Sequence, residues 1–191
     1  MGRIVECVPN FSEGRNQITV HALAQAVESV PGVWLLDQTR DRDHHRSVLS
    51  FAGEPDAVAE AAFRAIRVAT DLIDLREHRG VHPRVGATDV VPFVPLRGAT
   101  MQDCIHLARG LGKQVGAELD IPVFLYEQAA LHRDHAPLES IRQGGVQGLA
   151  FRMASDPDWT PDFGPPLLHK TAGAIVIGAR APLIAFNVNL C

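Results

Sequence analysis

Apolar positions along the chain follow two alternating patterns, which together predict an α/β fold. Short apolar runs bounded by Gly, Pro or charged residues have the length of β-strands. Between them, apolar residues recur every three or four positions, as on one face of an amphipathic helix. The predicted strands cover residues 3–8, 33–36, 47–51, 89–96, 121–126, 174–177 and 184–190, and the predicted helices cover residues 17–29, 55–73 and 101–119.

The first eight predicted elements have the order β-α-β-β-α-β-α-β. That order resembles ferredoxin-like α/β sandwiches, in which a mixed β-sheet carries its helices on one face. We therefore expect residues 1–191 to form a single ferredoxin-like α+β unit. Pro92 and Pro95 cannot donate ladder hydrogen bonds, which places strand 89–96 at a sheet edge or in a bulged strand. Residues 128–153 predict a helical Ala-rich piece followed by less regular chain.

Three polar stretches, at residues 10–15, 37–46 and 76–89, fall at the ends of predicted strands. The second is predicted as the long charged tip of a β-hairpin. The third, REHRGVHPRVGATD, carries histidines and arginines between turns that its glycines and Pro83 impose. If the sheet brings the three together, they line one cleft, where an imidazole base lies beside groups that bind anions. A solvated basic loop without chemistry would have the same composition.

The polar stretches supply most of the candidate substrate-binding residues. A guanidinium group binds a carboxylate through two parallel hydrogen bonds, so Arg46 and Arg84 suit carboxylate ligands. Taken singly, each is more typical of a surface or structural ion pair. Tyr126 ends a predicted strand, where its hydroxyl can face a cleft or its ring can simply complete the core. The candidates at this point are Asn10, Asp37, His44, Arg46, Arg84 and Tyr126.

Two histidine patterns raise the question of a metal site. The Asp-His-His string at residues 43–45 resembles that of the DHH phosphoesterases, and His78 and His82 are four residues apart. The second pair cannot share a helical face, because Gly80 interrupts it and Pro83 follows it. The chain also lacks the second carboxylate-rich motif that such phosphoesterases need. We therefore predict no bound metal, and keep a metal-dependent phosphoesterase as an alternative.

Composition narrows the class of protein. Hydrophobic residues make up 46% and charged residues 21% of the chain, which is typical of soluble globular proteins. The formal net charge of -4 gives no general attraction for nucleic acid. No apolar run approaches the roughly 20 residues of a membrane span, and the first residues contain no signal-peptide core. Three cysteines at unrelated spacings argue against a disulfide framework, so we expect a cytoplasmic protein with neither nucleic-acid nor membrane partners.

Four motifs make the chain recognisable. They are VECVPNFSEG at residues 5–14, HPR with GATD at residues 82–89, WTPDFGP at residues 159–165, and IAFNVN at residues 184–189. Together, and in this order along nearly the whole chain, they resemble the glutamate formiminotransferases. More narrowly, they resemble the N-terminal subdomain of the formiminotransferase domain.

The resemblance implies an enzyme of histidine degradation and one-carbon metabolism. Its reaction would transfer a formimino group from N-formimino-L-glutamate to tetrahydrofolate, the co-substrate. His82 is implied as the catalytic acid/base, and a histidine titrating near neutrality can take the proton from folate N5 and protonate the departing glutamate nitrogen. The resemblance also implies folate contacts from segment 164–173, through Gly164, Pro165, His169, Lys170, Thr171 and Gly173.

Three departures from the family pattern bear on this expectation. In the hairpin, His45 replaces a usual Asn, and Thr39 stands where some family members have Asp. Val81 stands where the family usually has an acidic residue that could tune His82. The family's transferase domain also has a C-terminal subdomain, with the ligand between the two halves, whereas this sequence stops at Cys191. We therefore expect a homodimer, or a separate C-terminal subdomain, to complete the cleft. The alternative function is a non-catalytic folate- or anion-binding half-domain that needs such a partner.

Overall fold

Residues 2–183, which the computed structural model describes, form a seven-stranded mixed β-sheet with five α-helices packed around it. The α/β class predicted from the sequence is confirmed. The strand predicted at residues 184–190 lies outside the described residues. The strands are β1 Val5–Cys7, β2 Asn10–Phe11, β3 Val33–Asp41, β4 Arg46–Gly53, β5 Thr88–Pro95, β6 Val123–Glu127 and β7 Ile175–Ala179. The helices are α1 Gln17–Glu28, α2 Pro55–Leu72, α3 Met101–Glu118, α4 Leu138–Arg142 and α5 Gly145–Ser155.

The sheet has a ferredoxin-like half and an extension. Strands β1 and β2 are two parts of one interrupted strand, since both pair with β4 on one side and with β5 on the other. Counting them as one, the order β3-β4-β1/β2-β5, with α1 and α2 as crossovers, is the arrangement that the element order predicted. Strand β7 then pairs parallel to β5, and β6 pairs parallel to β7.

The three long helices pack on one face of the sheet, and the two short helices pack on the other. Alternating side chains of β6 lie on the two faces of the sheet. Val123 and Leu125 join the core beneath α1, α2 and α3. Phe124 and Tyr126 belong to the cluster on the opposite face. Ile141 of α4 belongs to this second cluster, as does Leu149 of α5. The predicted packing of helices on one face therefore applies to α1, α2 and α3 but not to α4 and α5. No helix in the described part of the chain is long and apolar enough to cross a membrane.

Strand β5 lies in the middle of the sheet, so the prediction of an edge strand is wrong. The carbonyl of Pro92 accepts a hydrogen bond from the Val8 amide at 3.2 Å. The nitrogen and oxygen of one strand residue point to the same side, so the missing N–H of Pro92 faces the interruption between β1 and β2. The β2–β5 register also shifts between Asn10 and Phe11, opposite Val90 and Thr88, which agrees with the predicted alternative of a bulged strand. A central strand therefore tolerates this proline.

Three further segments differ from the predictions. Strand β3 continues to Asp41, so the hairpin turn is only residues 42–45. The exposed polar residues 37–41 extend the strand because their backbone groups pair with β4. Asn10–Phe11, the first residues of the polar stretch 10–15, pair as β2. Residues 138–155, expected to be mostly irregular, contain the two short helices.

Candidate active site

The three polar stretches meet at one end of the sheet. Phe11, at the end of β2, lies opposite both Thr88 at the start of β5 and Ser47 near the start of β4. The β3–β4 hairpin turns at the same end, where Asp41 pairs with Arg46. The structure thus brings together the three segments that the pattern of strand ends had indicated.

A groove of about 750 Å³ lies at this end of the sheet. The loop at residues 78–84, which includes His82, forms one wall, and the first turn of α5 forms another. A second cavity of about 590 Å³ adjoins the groove across Pro83 and Gly144 and is lined by α4. Charged side chains at the rim of the main groove are Arg15, Asp43, Arg79 and Arg84.

The His82 loop is held against the β3–β4 turn by close packing. A Cβ atom at Gly80 would lie 2.6 Å from the His44 carbonyl oxygen, so only glycine allows this approach. The imidazole rings of His45 and His78 lie 4.1 Å apart between centroids, and His78 Nε2 is 3.0 Å from the His45 carbonyl oxygen. These contacts fix the loop just before His82.

A second anchor holds the loop just after His82. The Ser12 amide donates to the Ala87 carbonyl at 2.8 Å, and the Ser12 hydroxyl donates to the Gly86 carbonyl at 2.7 Å. A Cβ at Gly86 would lie 1.8 Å from the Ala174 carbonyl oxygen, so the loop and the start of β7 are in backbone contact here. His82 therefore lies on a segment fixed at both ends.

His82 is half-buried and its environment favours the neutral imidazole. Burial lowers its pKa to about 4, helped by the positive charges of Arg46 and Arg142, whereas Asp89 acts in the opposite direction. The His44 ring lies edge-on at 6.1 Å between centroids. At neutral pH the ring is consequently an unprotonated base beside two guanidinium groups.

Arg46 and Asn10 form one unit beside His82. The Arg46 Nε donates to Asn10 Oδ1 at 2.8 Å, and its Nη2 contacts the same oxygen. The Asn10 amide nitrogen in turn donates to the Val8 carbonyl at 3.0 Å. Asn10 is buried, so its observed role is to orient Arg46, and direct contact of either residue with substrate stays a prediction.

Arg84 uses its donors within the loop. Its Nη2 donates to the carbonyl oxygens of His82, at 2.5 Å, and His44, at 3.1 Å. Its Nη1 contacts the His78 ring, at 2.8 Å from Nε2. Arg84 thus joins the loop to the hairpin turn, and the carboxylate-binding role expected from the sequence stays a prediction.

The first turn of α5 contributes backbone groups that the sequence analysis missed. Gly144 and Gly145 both have positive φ, of 73° and 61°, and the helix begins without a side-chain cap. The uncapped amides of this turn lie at the groove, where the positive end of the helix dipole favours an anion. The Gly-Gly pair at residues 144–145 was the available signal for this turn.

Segment 164–173 adjoins the base of the His82 loop. His169 and Gly173 exchange backbone hydrogen bonds at 2.9 and 3.0 Å, which makes a tight hairpin enclosing Lys170. The Thr171 carbonyl accepts from the Leu75 amide at 2.9 Å. Gly173 pairs with Gly86, which places the hairpin at the same end of the sheet.

The remaining predicted positions do not line the groove that contains His82. Asp37 pairs with Ser50 in the body of the hairpin, four residues before Asp41, the last residue of β3, and is exposed. Tyr126 lies toward the far end of β6, and burial raises its pKa. Gly164 and Pro165 follow the bridge between Phe163 and Val123, where a Cβ at Gly164 would lie 2.4 Å from the Ile121 carbonyl oxygen.

The Asp-His-His string does not form a metal cluster. Within residues 2–183, no three His, Cys, Asp or Glu side chains are grouped so that they could hold a metal ion. His44 Nδ1 lies 3.0 Å from Asp41 Oδ2, whereas His45 Nδ1 accepts the Gly14 amide at 3.1 Å. Independence from metal stays a prediction.

Comparisons with known proteins point to one family. The family model described as "Formiminotransferase domain, N-terminal subdomain" matches residues 4–180. Glutamate formimidoyltransferase of Streptococcus pyogenes serotype M1 is 44% identical over 190 residues, which cover all of this chain and 63% of that protein.

Two further relatives show the same relation. Glutamate formimidoyltransferase of Thermoplasma acidophilum is 49% identical over 188 residues, covering 98% of this chain and 62% of that protein. Formimidoyltransferase-cyclodeaminase of Rattus norvegicus is 45% identical over 190 residues, covering 100% and 35% respectively. The chain therefore spans less than two thirds of the length of these curated relatives.

Proposed function

Because the chain belongs to the family of formiminotransferase N-terminal subdomains, as its motifs indicated, we propose that it transfers a formimino group from N-formimino-L-glutamate to tetrahydrofolate. The observation that carries the proposal is the neutral, half-buried imidazole of His82, fixed at a groove among guanidinium groups. The enzyme would be cytoplasmic, independent of metal, and would act in histidine degradation and one-carbon metabolism.

His82 would move one proton in each half of the reaction. The N5 atom of tetrahydrofolate attacks the carbon of the positively charged amidine, and the electrons of the C=N bond pass to the imino nitrogen. His82 takes the proton from N5 and then gives it to the glutamate nitrogen. The bond from carbon to that nitrogen breaks, which leaves 5-formiminotetrahydrofolate, glutamate and neutral His82.

The environment of His82 favours the second step more than the first. A pKa of about 4 keeps the ring unprotonated and free to accept the N5 proton, but it makes the ring a weaker base than the near-neutral histidine expected from the sequence. The same environment makes the protonated ring a strong acid, which releases its proton readily to the departing nitrogen. The positive charges around His82 therefore allow the imidazolium ion to form only transiently during the reaction.

The groove also offers groups for the carboxylates of both substrates. Arg15 and Arg79 line it, and the uncapped first turn of α5 faces it. Arg46 lies close enough to His82 to affect its charge state. We propose that these groups bind the carboxylates of formiminoglutamate and of the folate tail, and that segment 164–173 contacts the folate ring system.

A partner would complete the site. The relatives are longer than this chain, and Val81, an apolar residue in the wall of the groove, is 77% exposed. We propose that a C-terminal subdomain, or a second copy of the chain, covers the groove. A second candidate function is a folate- or anion-binding half-domain without turnover, which would bind through the same arginines at the groove.

The test is to incubate the purified chain with formiminoglutamate and tetrahydrofolate over a range of protein concentrations. Product is measured by chromatography, and tetrahydrofolate binding is measured by calorimetry. Turnover by the chain supports the transferase, and a specific activity that rises with concentration supports completion by a second copy. Folate binding without turnover favours the half-domain instead. Neither binding nor turnover would contradict both candidates.

A further inference from the structure

Asp89 is a buried carboxylate close to His82 that has no chemical step in the proposed transfer. It stands at the start of β5 and is 3% exposed. Its Oδ1 accepts the Val85 amide at 2.7 Å, and its Oδ2 pairs with Nη2 of Arg142. One carboxylate thus holds both the end of the His82 loop and the last residue of α4.

Arg142 brings a positive charge to the same place. Its side chain is 16% exposed, and its Nε is buried without a hydrogen-bond partner in the described part of the chain. A guanidinium that is only partly hydrogen-bonded is costly to bury, so the contact with Asp89 is needed to keep it there. Arg142 lines the smaller cavity together with Pro83, the residue after His82.

The charged and titratable groups around His82 come from four elements. Arg46 of β4 and Arg142 of α4 disfavour the imidazolium, whereas Asp89 of β5 favours it. The hairpin turn contributes His44, with its ring at 6.1 Å. Arg46 is oriented by Asn10, whereas Arg142 is oriented by Asp89. The balance of charge at His82 therefore depends on the Asp89–Arg142 pair.

We propose that Asp89 and Arg142 are positioning residues for His82. Asp89 fixes the loop backbone at Val85 and holds Arg142, which joins α4 to the loop and presents its charge to the imidazole. The consequence for catalysis rests on the proposed transfer function. The effect on the protonation of His82 does not.

The test is an NMR titration of the histidine rings in the whole chain, with the His82 signal assigned from His82→Gln. Arg142→Gln removes a nearby positive charge and is expected to raise the midpoint of His82 by about one pH unit. Asp89→Asn keeps an oxygen for the Val85 amide but turns an N–H donor toward Arg142, which releases the guanidinium. The midpoint is therefore expected to rise, but less than in Arg142→Gln, because the negative charge of Asp89 is lost as well. Lys113→Gln removes an exposed positive charge on α3 and serves as the matched control, with no shift expected.

A merely structural pair would leave the midpoint of His82 unchanged in both variants, and that result would overturn the proposal. If Arg142→Gln does not fold, Arg142→Lys replaces it, since it keeps the charge but not the guanidinium geometry. That variant is expected to hold the midpoint and to lower kcat about tenfold with little change in KM, because the alignment of the ring is lost. If the wild type shows no turnover, the proposed transferase function is refuted. The titration midpoints of His82 in the variants would still test the positioning role of Asp89 and Arg142.

Discussion

Acid is expected to destabilise the folded protein through two half-buried histidines. Burial lowers the pKa of His82 to about 4, with help from Arg46, and burial lowers the pKa of His78 to about 4, with help from Arg84. In the unfolded chain each ring titrates near its ordinary value of about 6.5. Between these values the unfolded state binds more protons than the folded state, so the free energy of unfolding falls as the pH falls through this window.

The magnitude follows from the size of the pKa change. One pKa unit corresponds to about 1.36 kcal/mol, so a fall from about 6.5 to about 4 sets an upper limit of about 3.4 kcal/mol for each histidine. Both rings are partly exposed, and solvent screening reduces this limit. We therefore expect each ring to account for about 1 to 2 kcal/mol of the loss between neutral pH and about pH 4.

The assay is urea unfolding at a series of pH values, with the free energy extrapolated to water. His82→Gln removes one of the two groups, so its free energy of unfolding is expected to fall less on acidification than that of the wild type. His21→Gln, at an exposed position of α1, is the matched control and should follow the wild type. An equally steep fall in His82→Gln would refute the proposed protonation state of His82.

Two further predictions concern the loop anchor and metal. Gly86→Ala places a Cβ 1.8 Å from the Ala174 carbonyl oxygen and should lower the free energy of unfolding by about 2 to 4 kcal/mol. Gly110→Ala is the control, because its Cβ enters open space on α3, and it should raise the free energy of unfolding by about 0.5 to 1 kcal/mol. Equal effects in urea unfolding would contradict the backbone contact at Gly86. Chelation with EDTA should leave Tm and turnover unchanged, and a loss of either would restore the metal-dependent alternative.

Local regularities in the sequence predicted the elements that have one buried face. The apolar stripe of α2 and the Thr100–Asp103 capping box of α3 are short-range patterns, and both are present in the structure. The meeting of the polar stretches was a hypothesis based on their positions at strand ends. The ferredoxin-like order of β1 to β5 in the structure brings the three stretches together.

Other features depend on contacts between distant segments, which no local pattern contains. The extension of β3 to Asp41 is specified by pairing with β4, because its residues are exposed and show no two-residue hydrophobic period. The position of β5 could not be derived from Pro92 without the interruption between β1 and β2 on its neighbour. Asp89 and Arg142 are 53 residues apart, so their contact follows only from the packing of α4 onto the sheet.

The most direct test of His82 as the proton carrier compares kcat of the wild type, His82→Ala, and His82→Ala with added imidazole, each given formiminoglutamate and tetrahydrofolate. Glu77→Ala, which changes an exposed residue just before the loop, controls for disturbance of the loop. Loss of proton transfer is expected to lower kcat about 10² to 10⁴-fold, with partial recovery in imidazole and a near wild-type rate in Glu77→Ala. A His82→Ala rate equal to that of the wild type would contradict the mechanism.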